Sequence, residues 1–135
     1  MSSKSDDLTL LGRSDVQFPE SPDGATIESF PNPNEGRVYW IELDCPEFSS
    51  LCPVTKQPDV ARIRIRYSPD KLCVETKSLK FYLASYRNQK GFNEEIANRI
   101  ADDLVKTCKP KRLELSASFA SRGGISLSVE IKYPE

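Results

Sequence analysis

Ala61-Arg62-Ile63-Arg64-Ile65-Arg66-Tyr67 alternates strictly between apolar side chains and arginine. Successive side chains of an extended chain point to opposite faces, so this run predicts a strand with one dry and one wet face. Three arginines share the wet side, where the ordinary role is a solvated surface paired to acids across a sheet. Ser68-Pro69-Asp70-Lys71 closes the strand as a turn. Upstream, Val38, Trp40 and Leu43 alternate with Arg37, Tyr39 and Glu42, which predicts an earlier strand ended by Asp44-Cys45-Pro46. Between the two lies Ser50-Leu51-Cys52-Pro53-Val54-Thr55-Lys56-Gln57-Pro58-Asp59. Its prolines set φ at their own positions and bias Cys52 and Gln57 away from helix, so a stiff connector is expected at one end of a long antiparallel pair. It carries a thiol and a carboxylate seven positions apart. A structural loop with a buried cysteine is the plain reading of that spacing, and a reactive pair is the chemical one.

Downstream, Leu79, Tyr82, Leu83 and Tyr86 recur at helical spacing and predict a helix from Ser78 to Tyr86, broken by Gly91. A second helix carries Phe92, Ile96, Ile100 and Leu104 on one stripe, with Glu94 and Glu95 in its first turn, Lys106 and Lys109 at its end, and Pro110 as its stop. Two more alternating runs follow, Leu113 to Phe119 and Ile125 to Tyr133, joined by the hairpin turn Ser121-Arg122-Gly123-Gly124. The order ββααββ predicts an α+β domain, an antiparallel four-stranded sheet with both helices on one face. Residues 1–36 are rich in Ser, Asp, Pro, Gly and Asn, with apolar touches at Leu8, Leu10, Leu11, Ile27 and Phe30. They read as an irregular arm that packs on the core or on a neighbour, ended by the turn cluster Pro31 to Gly36 and followed by a single domain over 37–135.

Composition narrows the chemistry. Nineteen basic and twenty acidic residues leave a net charge of −1, so no broad cationic surface points to nucleic acid or an anionic membrane. No apolar window is long enough to span a bilayer and the first residues have no apolar signal core, so a soluble cytoplasmic protein is expected. The four cysteines, at 45, 52, 73 and 108, form no C-x-x-C pair, and the chain has no histidine. Zinc-finger patterns, Ser-His-Asp triads and Cys-His dyads are thereby lost, and no metal or disulfide framework is expected. A reactive thiol must here be managed by carboxylate, lysine or backbone dipoles, with Asp59 the nearest acid in sequence. No G-x-G-x-x-G follows any strand, which excludes a Rossmann site.

Cys52-Pro53-x-Thr55-x-Gln57-Pro58-Asp59 followed by Glu75-Thr76-Lys77-Ser78-Leu79-Lys80-Phe81-Tyr82 resembles the QueF-type nitrile reductases. So do Thr9-Leu10-Leu11-Gly12, Glu28-Ser29-Phe30-Pro31, Cys45-Pro46-Glu47-Phe48, Tyr86-Arg87-Asn88 and Arg122-Gly123-Gly124. The resemblance implies the tunnelling fold, with ββααββ subunits joined edge to edge into stacked rings and active sites at their interfaces. It implies NADPH-dependent reduction of 7-cyano-7-deazaguanine to 7-aminomethyl-7-deazaguanine through a Cys52 thioimide, in queuosine biosynthesis. Cys52 matches the nucleophile, Asp59 the acid/base and Glu94 the acid that grips the deazaguanine edge, with Asn93, Glu75 and Ser78 also assigned to substrate. Lys77 and Lys80 match the cofactor signature, and Arg122 with Gly123 is expected to add a phosphate contact, although a hairpin turn explains the glycines equally well. Glu94 by itself also reads as a first-turn acid favoured by the helix dipole. The chain departs from the family's pattern in Asn93, where its members carry histidine, and in Thr76, where Ser or Leu is commoner. Competing implications are an amidine-forming relative that acts on the same base within tRNA, against which the net charge argues, and a noncatalytic purine-binding module of the same fold.

Overall fold

A computed structural model describes residues 19–135. The strand read at Ala61 to Tyr67 is the inner part of β3 (Pro58–Ser68), whose alternate residues Ile63, Ile65 and Tyr67 are at most 1% exposed. Its other face carries the arginines. Arg62 forks onto Asp44 at 2.8 and 2.5 Å, and Arg66 reaches Glu114 at 3.3 Å while lying 4.0 Å above the Trp40 ring. These exposed pairs organise the wet face and contribute little to stability.

β2 (Ile41–Leu51) pairs antiparallel with β3, from Ile41 opposite Tyr67 to Leu51 opposite Pro58. The expected strand end at Asp44-Cys45-Pro46 is corrected: the strand starts at Ile41 and runs on to Leu51, with a bulge between Cys45 and Phe48. Pro46 has no N–H to give a ladder, but β2 is an edge strand and the bulge absorbs the proline. The sheet order is β2-β3-β5-β6, with β5 (Arg112–Arg122) and β6 (Ile125–Tyr133) completing the antiparallel four-stranded sheet.

Two helices cover its apolar face. Leu79, Leu83, Ile96, Ile100 and Leu104 from the helices join Ile63, Ile65, Leu113, Leu115 and Ala117 from the sheet in one core. α1 (Thr76–Ala84) begins before Ser78 because the Glu75 side chain caps it, accepting from Lys77 N at 2.5 Å and Ser78 N at 3.0 Å. It ends at Ala84 rather than continuing to Tyr86. α2 (Asn93–Cys108) closes on Lys109 in the left-handed region, φ 45°, just before Pro110. Asp103 of α2 accepts the Tyr82 hydroxyl at 2.5 Å, and Tyr82 and Tyr86 share a hydrogen bond at 2.7 Å, so the two helices are joined by polar contacts as well as packing.

One feature has no counterpart in the local patterns. β1 (Ser29–Pro31) pairs with β4 (Leu72–Val74) in a second, two-stranded sheet, and Ile27 beside it is 7% exposed within the core. Ile27 is part of the core and Ala25 packs against it, whereas Leu8, Leu10, Leu11 and Thr9 to Gly12 are outside the described residues. Tyr67 ties this small sheet to β3, since its buried hydroxyl accepts Val74 N at 2.9 Å. Tyr67→Phe leaves that amide without its acceptor and is expected to lower stability by about 1–3 kcal/mol. Urea unfolding measures it, and an unchanged midpoint would show that the hydroxyl does not matter.

Candidate active site

The connector between β2 and β3 is a closed loop. Cys52 N donates to Gln57 O at 2.9 Å, Lys56 N donates to Cys52 O at 2.9 Å, and Lys56 turns the chain in the left-handed region at φ 61°. That geometry folds Val54 and Thr55 back over the sulfur. The Thr55 hydroxyl, then the Thr55 and Val54 N–H groups, hold the Cys52 thiol below its ordinary pKa, against the opposing pulls of partial burial and the Asp59 charge. Donors that favour a thiolate are what activate a nucleophilic cysteine where no imidazole exists. The other thiols are tuned the opposite way: burial raises Cys45 and Cys73 and pushes Cys108 up to about 12. Cys52 alone among the four has a lowered thiol pKa and sits half-buried in a loop.

Asp59 is the second residue of β3, opposite Ser50, and is 7% exposed. Its Oδ1 accepts Arg122 Nη1 at 2.6 Å. The same guanidinium donates from Nη2 to Thr55 Oγ1 at 3.4 Å and to Gln57 Oε1. Arg122, expected at a cofactor phosphate, is thus bound into the Cys52 loop, and Gly123 at φ 60° with Gly124 at φ 82° forms the tight hairpin turn that follows it. Only glycine adopts both conformations without strain. The Ser50 hydroxyl is fully buried beside Asp59 and has no hydrogen-bond partner among the described residues.

The N-terminus of α2 is joined to the same end of the sheet. Leu51 N donates to Gln89 O at 2.9 Å and Gly91 N donates to Leu51 O at 3.2 Å, a parallel bridge that links the residue before Cys52 to the segment leading into Asn93 and Glu94. A Cβ at Gly91 would lie 3.1 Å from the Ile96 side chain, which would have to give by a few tenths of an ångström to admit it. Glu94 is exposed in the first turn of α2, and Asn93 buries its Oδ1 with no partner among the described residues. Cys52, Asp59 and Arg122 are in one hydrogen-bonded cluster, and the bridge brings Asn93 and Glu94 towards it.

The remaining expected residues sit apart. Glu75 is 4% exposed and committed to capping α1, while Ser78 Oγ donates to Glu75 O at 2.8 Å and accepts Glu28 N at 2.8 Å. Lys80 and Thr76 line a groove of about 690 Å³ between β2 and α1, floored by Leu79, Leu83 and Phe48, that neither Cys52 nor Asp59 borders. Among the described residues no group of three or more His, Cys, Asp or Glu side chains could hold a metal ion, and no helix is long and apolar enough to cross a membrane. The pattern reading missed Thr55 as the thiol's hydrogen-bond donor, the Arg122–Asp59 pair and the Leu51 bridge. The first has a sequence signal in its place three residues after Cys52; the other two join segments distant in sequence and have none.

Against known proteins, a family model described as QueF-like protein matches residues 58–135. The chain is 47% identical over 127 residues to the NADPH-dependent 7-cyano-7-deazaguanine reductase of Streptococcus mutans, covering 94% of this chain and 78% of that protein. It is 50% identical over 109 residues to the protein of the same name from an Anaeromyxobacter species, covering 81% and 89%. The Bacteroides thetaiotaomicron protein of that name is 46% identical over 127 residues, covering 94% and 83%. Among solved structures, the archaeosine synthase QueF-Like in its apo form superposes with a TM-score of 0.61 at 18% identity, covering 70% of this chain and 91% of that one, which shows a shared fold. With a family match over more than half of its length and relatives near half identical across most of it, the chain belongs to the QueF-like protein family.

Proposed function

We propose that this protein is an NADPH-dependent 7-cyano-7-deazaguanine reductase, converting the nitrile to the aminomethyl group in queuosine biosynthesis. The observation that carries the reading is the Cys52 loop: of four thiols, the one lowered in pKa stands beside a nearly buried carboxylate, in a chain whose relatives bear that activity in their names. A nitrile carbon is electrophilic but a poor hydride acceptor. Addition of the Cys52 sulfur forms a C–S bond and a thioimide, and the nitrile nitrogen takes up a proton. Asp59 relays that proton from the thiol, with Oδ1 anchored by Arg122 at 2.6 Å. Glu94, exposed at the start of α2, accepts the ring N–H and exocyclic amine of the deazaguanine in bidentate fashion. Asn93 offers its partnerless Oδ1 to a substrate donor.

The groove beside α1 suits a nicotinamide cofactor: its floor is apolar and Lys80 supplies a cation at its rim for phosphate. Bound there, NADPH supplies a hydride, and two cofactor molecules account for the four-electron reduction of nitrile to amine. Lys77 and Lys80 hold its phosphates. Because that groove does not border Cys52, one chain does not hold a whole site, and a second copy brings its own α1 segment to the Cys52 loop. The two edge strands β2 and β6 are open to such pairing among the described residues, and Ile125 and Tyr133 on β6 are 73% and 40% exposed. Edge-to-edge association into stacked rings follows. Light scattering at assay concentration should show an oligomer, and a fully active monomer would sink this arrangement.

Wild-type protein is expected to oxidise NADPH only when 7-cyano-7-deazaguanine is present, and to form an ultraviolet-detectable adduct with that base alone. Cys52→Ala should abolish both with the fold intact, whereas replacing Cys45, Cys73 or Cys108 should abolish neither. Product formation from ammonia without NADPH consumption would instead place the chain with amidine-forming enzymes. Glu94→Gln replaces two charge-assisted hydrogen bonds with a mismatched amide, so substrate affinity should fall by about 1.5–3 kcal/mol while the cofactor constant barely changes. Equal losses for both ligands, measured by steady-state kinetics, would rule out a specific role.

A further inference from the structure

We propose that Arg122 is a positioning residue for the nucleophile: by bridging Asp59, Gln57 and Thr55 it holds the loop in the conformation that directs Thr55 and Val54 donors at the Cys52 sulfur. This deepens the reading of Cys52 as nucleophile and rests on it. Three observations carry it. Thr55, Lys56 and Gln57 are exposed residues, and Lys56 occupies a left-handed conformation that a non-glycine residue adopts at a cost, so something must hold the loop closed. Arg122 supplies the hold from another strand, with Nη1 on Asp59 at 2.6 Å and Nη2 on Thr55 at 3.4 Å and on Gln57. Gln57 in turn accepts Cys52 N through its carbonyl at 2.9 Å, so the same residue is held by side chain and backbone.

The third observation is how Arg122 reaches the loop. Along β5, Leu113, Leu115, Ala117 and Phe119 face the core, and simple alternation would put Arg122 on the opposite, wet face with Glu114 and Ser118. A register shift between Phe119 and Arg122 inserts one residue and pairs Arg122 with Ile125, which turns the arginine to the side of Asp59. A bulge re-aims a side chain, and here it delivers a guanidinium fork to a loop rather than to solvent. Lysine has one point charge and cannot span three acceptors in that geometry.

The test is the pH dependence of iodoacetamide modification at Cys52, followed on the Cys52 peptide by mass spectrometry without substrate or cofactor. Arg122→Gln is expected to raise the midpoint by about one pH unit, so that modification near neutral pH slows roughly tenfold. Thr55→Val should shift it in the same direction, and the double variant should add little to either, because both changes break one network. Arg122→Lys should recover only part of the shift. An unshifted profile in Arg122→Gln, with only the NADPH half-saturation raised, would overturn the proposal and make Arg122 a cofactor ligand. If circular dichroism shows that Arg122→Gln has lost its fold, Arg122→Lys and Thr55→Val decide, and unshifted midpoints in both overturn it. Wild-type protein that forms no adduct with 7-cyano-7-deazaguanine would refute the reductase reading while leaving the alkylation result to judge Arg122 independently.

Discussion

The alternation of β3 is the constraint on which the rest of the molecule depends. With Ile63, Ile65 and Tyr67 in the core and Arg62, Arg64 and Arg66 outside, a one-residue slip would bury three guanidinium groups and expose the apolar set. Register against β2 and β5 is therefore fixed. From it follow the pairing of Ser50 with Asp59, the closing pair Leu51 and Pro58, and the six-residue loop that holds Cys52. A soft pairing here would let the thiol and the carboxylate drift apart.

Chemistry without histidine is solved by environment. Cys45, Cys73 and Cys108 have the same side chain as Cys52, yet burial raises all three. Cys52 escapes because its loop turns hydroxyl and N–H donors inward, and these outweigh the opposing pulls of partial burial and the Asp59 charge. The same economy appears at α1, where Glu75 and Ser78 complete their hydrogen bonds within the fold. A motif that reads as ligand-binding in sequence can thus be structural within one chain.

Much was determined by the sequence alone, because it is encoded at short range. The inner part of β3, both helices, the last hairpin with its two glycines, and the Cys52 to Asp59 connector are periodicities or turn residues that need only their neighbours. The absence of histidine meant that any group lowering a thiol pKa here had to be of another kind. The start of α1 lies two residues before the expected Ser78 because Glu75 caps the helix with its side chain, a choice that local spacing does not reveal. The β1–β4 pair was not legible at all, since three-residue strands more than forty positions apart carry no pattern of their own.

What only the tertiary structure decided is the phase of the strands where they enter the site. On β2, Leu43 and Cys45 precede a bulge and Phe48 and Ser50 follow it, so the inward face passes from odd to even numbers at Pro46 and Glu47. That break in alternation is why the strand reads as finished at Pro46. On β5 a second bulge turns Arg122 out of the wet series and into contact with Asp59. Residue order gives the faces of a regular strand, but the position of an extra residue depends on the strand it pairs with. The decisive contacts of the site therefore arise from cross-strand geometry, where period-two reading fails.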